Sequence, residues 1–115
     1  MSFKINSEEK ENIGVITVDG EVDMFTSPNL REKLIPFFEK NVKGVIVDLK
    51  GVSFMDSSGI ATMVEGLQWS KKNKRDFILT GLGETVMNAL SLTKLETVFT
   101  IKPDSEQAYQ ELASR

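Results

Sequence analysis

The chain has 115 residues, 40% hydrophobic and 27% charged, and its 14 Lys and Arg against 17 Asp and Glu leave a net charge of -3. That length suits one domain spanning 1–115, in which folding buries roughly 65% of the extended surface, and the negative charge offers no broad attraction to nucleic acid or anionic lipid. With neither Cys nor His, the chain has no disulfide, thiol nucleophile, Ser-His-Asp triad, His general base or His metal ligand.

No apolar run approaches the roughly 20 residues of a membrane span, and the N-terminus lacks the basic-then-apolar layout of a signal peptide. A soluble, cytoplasmic protein is expected. The first elements follow from period-two patterns: Phe3 to Ser7 and Ile13 to Val18 alternate apolar and polar residues around the charged turn Glu8-Glu9-Lys10-Glu11-Asn12. They predict an antiparallel hairpin. Gly20-Glu21-Val22-Asp23-Met24-Phe25-Thr26 leaves the second strand, and Ser27-Pro28 reads as a helix cap followed by Pro in the first helical position. Leu30, Leu34, Phe37 and Phe38 supply the buried stripe of that helix, while Pro36 inside it predicts a kink or an early break.

Val45-Ile46-Val47-Asp48-Leu49 is a short β-branched run, the pattern of a strand covered on both faces. From Ile60 the apolar residues recur at helical spacing as Ile60, Met63, Val64 and Leu67, predicting a second helix from Ser57 to about Asn73. Phe77 to Thr80 is the next strand, and Gly81-Leu82-Gly83 turns into a short helix with Val86, Met87, Ala89 and Leu90. Val98 to Ile101 forms the last strand, and Asp104 with Gln107 resembles a capping box for a final helix holding Ala108 and Leu112. The order β-β-α-β-α-β-α-β-α favours a single α/β domain. Its mixed sheet would have four to five strands, with helices mainly on one face.

The most informative segment is Phe54-Met55-Asp56-Ser57-Ser58-Gly59, where a strand gives way to a helix. Short polar side chains there accept hydrogen bonds from the free amides of a first helical turn, and the positive end of the helix dipole tolerates an added anion. One of Asp56, Ser57 and Ser58 serves as the cap. Two serines exceed what one cap needs, so a hydroxyl is left to face solvent, and Gly59 leaves room for a close approach.

Trp69 falls about half a turn from the Ile60, Val64 and Leu67 stripe, on the outer face with Thr62 and Glu65. It either packs against a neighbouring helix or anchors a protein partner. Met24 and Phe25, in a loop, either plug the core or rim an interface. Lys71-Lys72-Asn73-Lys74-Arg75 reads first as a solvated helix end. Gly81-Leu82-Gly83 is too short for a nucleotide loop, and the spacing of Asp19, Glu21, Asp23, Asp48 and Asp56 matches no metal loop. No cofactor or metal is expected.

Taken together, Gly20-Glu21-Val22-Asp23, the strand at 45–49 and Phe54-Met55-Asp56-Ser57-Ser58-Gly59-Ile60 closely resemble bacterial anti-sigma factor antagonists of the STAS family. Val22 is the one conservative departure from the family's two motifs. The resemblance implies a switch rather than an enzyme: a partner that is both anti-sigma factor and serine protein kinase phosphorylates Ser57, with a phosphoserine phosphatase as a further partner. The unphosphorylated form binds that kinase and frees the sigma factor. Asp23, Asp56, Ser58 and Gly59 would neighbour the acceptor, and Met24, Phe25, Thr26, Ile60 and Thr62 would contact the partner, together with Trp69, an outward aromatic that is a departure from the family's sigma-regulating members. The family also includes subunits of lipid-transporting ABC systems, so an ABC transporter ATPase or permease docked through Trp69 is the alternative partner.

Overall fold

The computed structural model describes residues 3–115 of the chain. Strands β1 (Lys4–Lys10) and β2 (Ile13–Val22) form an antiparallel hairpin with Ile5 opposite Val18 and Lys10 opposite Ile13. Strand β1 therefore runs on through the charged segment expected to turn. Only Glu11 and Asn12 make the turn, both at positive φ (54° and 63°), the backbone a two-residue hairpin loop needs to match strand twist.

Helix α1 (Ser27–Lys40) follows, then β3 (Gly44–Met55), α2 (Ser57–Asn73), β4 (Asp76–Thr80), α3 (Glu84–Thr93), β5 (Thr100–Lys102) and α4 (Ser105–Ala113). The sheet order is β1-β2-β3-β4-β5, antiparallel at the first pair and parallel at the rest. Helices α1, α2 and α3 bury Leu30, Leu34, Phe37, Ile60, Met63, Val86 and Leu90 with Ile16, Val18, Val45, Val47 and Leu49 of the sheet. On the opposite face, α4 sets Ala108 and Leu112 against Ile13, Ile46 and Ile78. The alternation of β3 is thus split between two cores, which is why its sequence reads as a continuous apolar run.

Three local expectations change. Pro36 neither breaks nor shortens α1, which continues to Lys40. Pro36 is exposed, as is Glu32 one turn earlier, so the carbonyl that loses its amide partner faces water while Leu34 and Phe37 hold the helix from the other side. The α1 cap is Thr26 rather than Ser27, and Ser27 is buried in the first turn. The last strand is Thr100–Lys102, because Val98 and Phe99 lie in the turn that seats Phe99 in the core.

The largest difference is the reach of β2 and β3. Both run well past the expected ends at Val18 and Leu49, and β4 pairs with β3 only up to Asp48. Beyond that, β2 and β3 continue together to the pair Val22–Met55, with register shifts between Thr17 and Asp19 and between Gly20 and Glu21. Gly20, at φ 109°, supplies backbone that other residues avoid at this irregularity. Val22, Val52 and Met55 of this ribbon turn inward at irregular spacing while Lys50, Gly51, Ser53 and Phe54 are exposed, so no steady period-two pattern marks it in the sequence.

Candidate functional site at the tip of the β2–β3 ribbon

Because β2 and β3 are parallel and end in register, the loop after β2 and the start of α2 emerge side by side. The Asp56 amide donates to the Val22 carbonyl at 3.0 Å and ties the two together. Gly59 is buried against the strand ends: a Cβ on it would lie 2.6 Å from Met55 Cγ and 2.8 Å from Val22 Cγ1. The close approach that Gly59 permits is therefore made inside the domain, by β2 and β3, and not by a partner.

Asp56 is the α2 cap. Its Oδ1 accepts the Ser58 amide at 2.9 Å, the Gly59 amide at 3.3 Å and the Ser58 hydroxyl at 2.6 Å. The Ser58 hydroxyl above all, with the Ser58, Gly59 and Met24 amides, holds the Asp56 carboxyl below its ordinary range, outweighing the partial burial that raises it. Ser57, at the first helical position, is exposed, and its hydroxyl bonds to no described residue. Of the two serines, Ser58 is engaged and Ser57 is free.

Asp23 has a different task from Asp56. Its Oδ1 accepts the Phe25 amide at 2.9 Å and the Thr26 amide at 3.1 Å. Thr26 Oγ1 accepts the Asp23 amide at 2.9 Å and donates to the Glu21 carbonyl at 2.8 Å. These bonds close a compact loop, and the Asp23 carboxylate is turned to that loop's own amides. Asp23 follows the end of β2, which pairs with the end of β3 ahead of α2, and it acts as the scaffold of its own loop. Thr26 serves the same scaffold.

The loop leaves Met24 68% and Phe25 81% exposed, and Phe54, on the adjoining strand end, 44% exposed. Met24 and Phe25 therefore do not plug the core, and Phe54 is exposed with them. The sequence holds a signal for Phe54, since it stands beside Met55 and Asp56 where only Met55 turns inward, but that choice depends on the register with β2.

The remaining partner residues expected on α2 face inward. Ile60 is 6% exposed in the core and Thr62 is 6% exposed, its Oγ1 donating to the Ser58 carbonyl at 3.1 Å. Trp69 is 9% exposed and stacks on Phe38 of α1. The outer face assigned to Thr62, Glu65 and Trp69 is instead the face that α1 covers, with Arg31 and Glu65 paired at 2.8 Å along its edge. No helix among the described residues is long and apolar enough to cross a membrane. A surface groove of about 650 Å³ lies beside β1 and α1, bordered by Phe3, Ile5, Asn29 and Lys33, and none of residues 54–60 lines it.

The chain is an α/β domain with a mixed five-stranded sheet, and one tip of that sheet carries a capped helix start, an exposed serine and a hydrogen-bonded loop with exposed apolar side chains. The STAS domain family model matches residues 4–108, and the chain belongs to that family. It is 31% identical over 110 residues to an anti-sigma-B factor antagonist of Bacillus subtilis (strain 168), covering 96% of this chain and 100% of the relative. A Staphylococcus aureus (strain NCTC 8325 / PS 47) relative of the same description is 26% identical over 106 residues, covering 92% and 98%. Among solved structures, an anti-sigma factor antagonist from Mycobacterium paratuberculosis superposes with a TM-score of 0.83 at 23% identity, over 96% of this chain and 94% of that one. The anti-sigma factor antagonist SpoIIAA in its unphosphorylated form gives 0.81 at 21% identity, over 99% and 98%. Those two likenesses are of fold.

Proposed function

We propose that this chain is an anti-sigma factor antagonist, a non-catalytic regulator of transcription that acts in the cytoplasm by switching partners. Its unphosphorylated form binds an anti-sigma factor that is also a serine kinase, and the sigma factor is released. Phosphate on Ser57 ends that binding, and a phosphoserine phosphatase restores it. The observation that carries this reading is the exposed, unengaged Ser57 hydroxyl beside the exposed Met24, Phe25 and Phe54. Aromatic residues and Met are enriched at protein interfaces, and the hydrogen bonds within the loop fix the backbone that carries Met24 and Phe25.

Charge supplies the off state. A phosphoserine carries about -1.5 to -2 charges at neutral pH, and at Ser57 they would stand next to the Asp56 carboxylate, which its hydrogen bonds keep ionised. A partner surface fitted to the neutral serine would have to strip water from that charge or face it unpaired. The alternative, an ABC transporter subunit, was to dock through Trp69, and with Trp69 buried and stacked on Phe38 that side chain is not presented to a partner. The test is incubation with ATP and each anti-sigma kinase of the host, with phosphate mapped by mass spectrometry. Phosphate on Ser57 supports the reading, and its absence on folded protein with every kinase defeats it.

A further inference from the structure

The two adjacent hydroxyls of the helix start are held in unlike states. Ser58 Oγ donates to Asp56 Oδ1 at 2.6 Å, while Ser57 is exposed with no bond to a described residue. The backbone around Ser58 is fixed as well. Its amide donates to Asp56, its carbonyl accepts from Thr62 Oγ1, and Gly59 after it is wedged against Met55 and Val22. These contacts hold the first turn of α2 with Ser57, and not Ser58, exposed.

We propose that Asp56 chooses between the two serines: by engaging the Ser58 hydroxyl it withholds that group from phosphate transfer, and Ser57 is left as the sole acceptor. The inference rests on the reading of this tip as a kinase substrate. In the transfer, the serine Oγ bonds to the terminal phosphorus of ATP and the bond from phosphorus to the bridging oxygen breaks. ADP leaves with that electron pair, and the hydroxyl proton passes to a base of the kinase. The Ser57 proton is free to point at such a base. The Ser58 proton points at Asp56, and freeing it means giving up a charge-assisted hydrogen bond. Asp56 is itself a poor base for Ser58, because the amides that cap onto it stabilise its ionised form. Asp56 and Ser58 are thus positioning residues, and neither carries the phosphate.

The experiment combines phosphate mapping with a titration. With ATP and the host's anti-sigma kinases, the wild type is expected to carry phosphate on Ser57 alone and Ser57→Ala none. Asp56→Gly/Ser57→Ala keeps a tolerated cap residue but frees the Ser58 hydroxyl, and it is expected to take phosphate on Ser58 at a level at least about tenfold above the detection limit that Ser57→Ala does not reach. Phosphate on Ser58 in Ser57→Ala at the wild-type rate overturns the choice while leaving the kinase reading intact, and so does a silent double variant. A wild type that takes no phosphate defeats both. Independently, the carboxyl carbon of Asp56 is followed by NMR against pH. Ser58→Ala should raise its midpoint and Ser58→Thr should restore it, and a midpoint indifferent to both removes the bond on which the choice depends.

Discussion

Phe38 of α1 and Trp69 of α2 stack with ring centroids 4.8 Å apart and planes 27° from parallel. The contact joins the two helices that flank the ribbon tip, and offset aromatic pairs of this kind contribute beyond the area they bury. Trp69→Ala should destabilise the fold by roughly 3–5 kcal/mol, the range for emptying a large aromatic site. Trp69 Nε1 has no hydrogen-bond partner among the described residues, so Trp69→Phe, which keeps a ring and removes that buried donor, should cost far less. Urea denaturation of both variants checks the order. Equal losses would mean that packing at this site is not what stabilises it.

At the tip itself, Phe25→Ala should leave stability within about 0.5 kcal/mol of wild type, because the side chain is 81% exposed. If Phe25 anchors the partner, the same change should weaken binding by roughly 2 kcal/mol, about 30-fold. Calorimetric titration against the anti-sigma partner, alongside a melt, separates the two effects. Unchanged affinity would remove Phe25 from the interface.

Ser57→Asp should weaken that binding about tenfold or more, while Ser57→Ala should retain it, since the burden is the added charge and not the loss of a hydroxyl that bonds to no described residue. Both variants keep a polar or small residue at an exposed first helical position, so both should fold. Equal affinity of the two variants for the kinase contradicts the charge mechanism.

Asp56→Ala removes the cap and should cost about 1 kcal/mol at neutral pH. The sign of its pH dependence follows from the direction of the shift: the folded carboxyl titrates below its unfolded value, principally through the Ser58 hydroxyl. Its stabilisation is therefore present above the unfolded Asp value and lost as pH falls through the lower, folded value. Wild type and Asp56→Ala should converge in stability at strongly acidic pH. Denaturant melts across a pH series test this, and a gap that widens on acidification would reverse the assignment.

Gly59→Ala should destabilise by roughly 1–3 kcal/mol, as overpacking in a filled site does, because the added methyl meets Met55 Cγ at 2.6 Å and Val22 Cγ1 at 2.8 Å. A variant as stable as wild type would show that the strand ends move apart freely at the tip.

Much of the fold was legible because local patterns and tertiary packing agree. Helix α2 was expected from Ser57 to Asn73 and runs there, because its apolar period and the residue types at its start both mark it. The Asp104 cap of α4 was also readable, with its carboxylate accepting the Gln107 amide at 2.8 Å. What escaped were features that depend on residues far apart in the chain. The extended ends of β2 and β3 place Val22, Val52, Phe54 and Met55 at no regular period among Gly and polar residues, so period-two reasoning stopped at Val18 and Leu49; only their mutual pairing continues them.

Ser57 and its surroundings divide the same way. The sequence by itself determined a helix start with one cap and one spare hydroxyl, and the two motifs pointed to Ser57, because capping and dipole effects act within one turn of a helix. Which face of α2 is covered was decided only when α1 docked and brought Phe38 onto Trp69. The roles of the two aspartates were decided in the same way, by geometry no local pattern encodes. Asp23 folds back onto the amides of Phe25 and Thr26, while Asp56 caps the helix, because two parallel strands ending in register bring both loops to one tip.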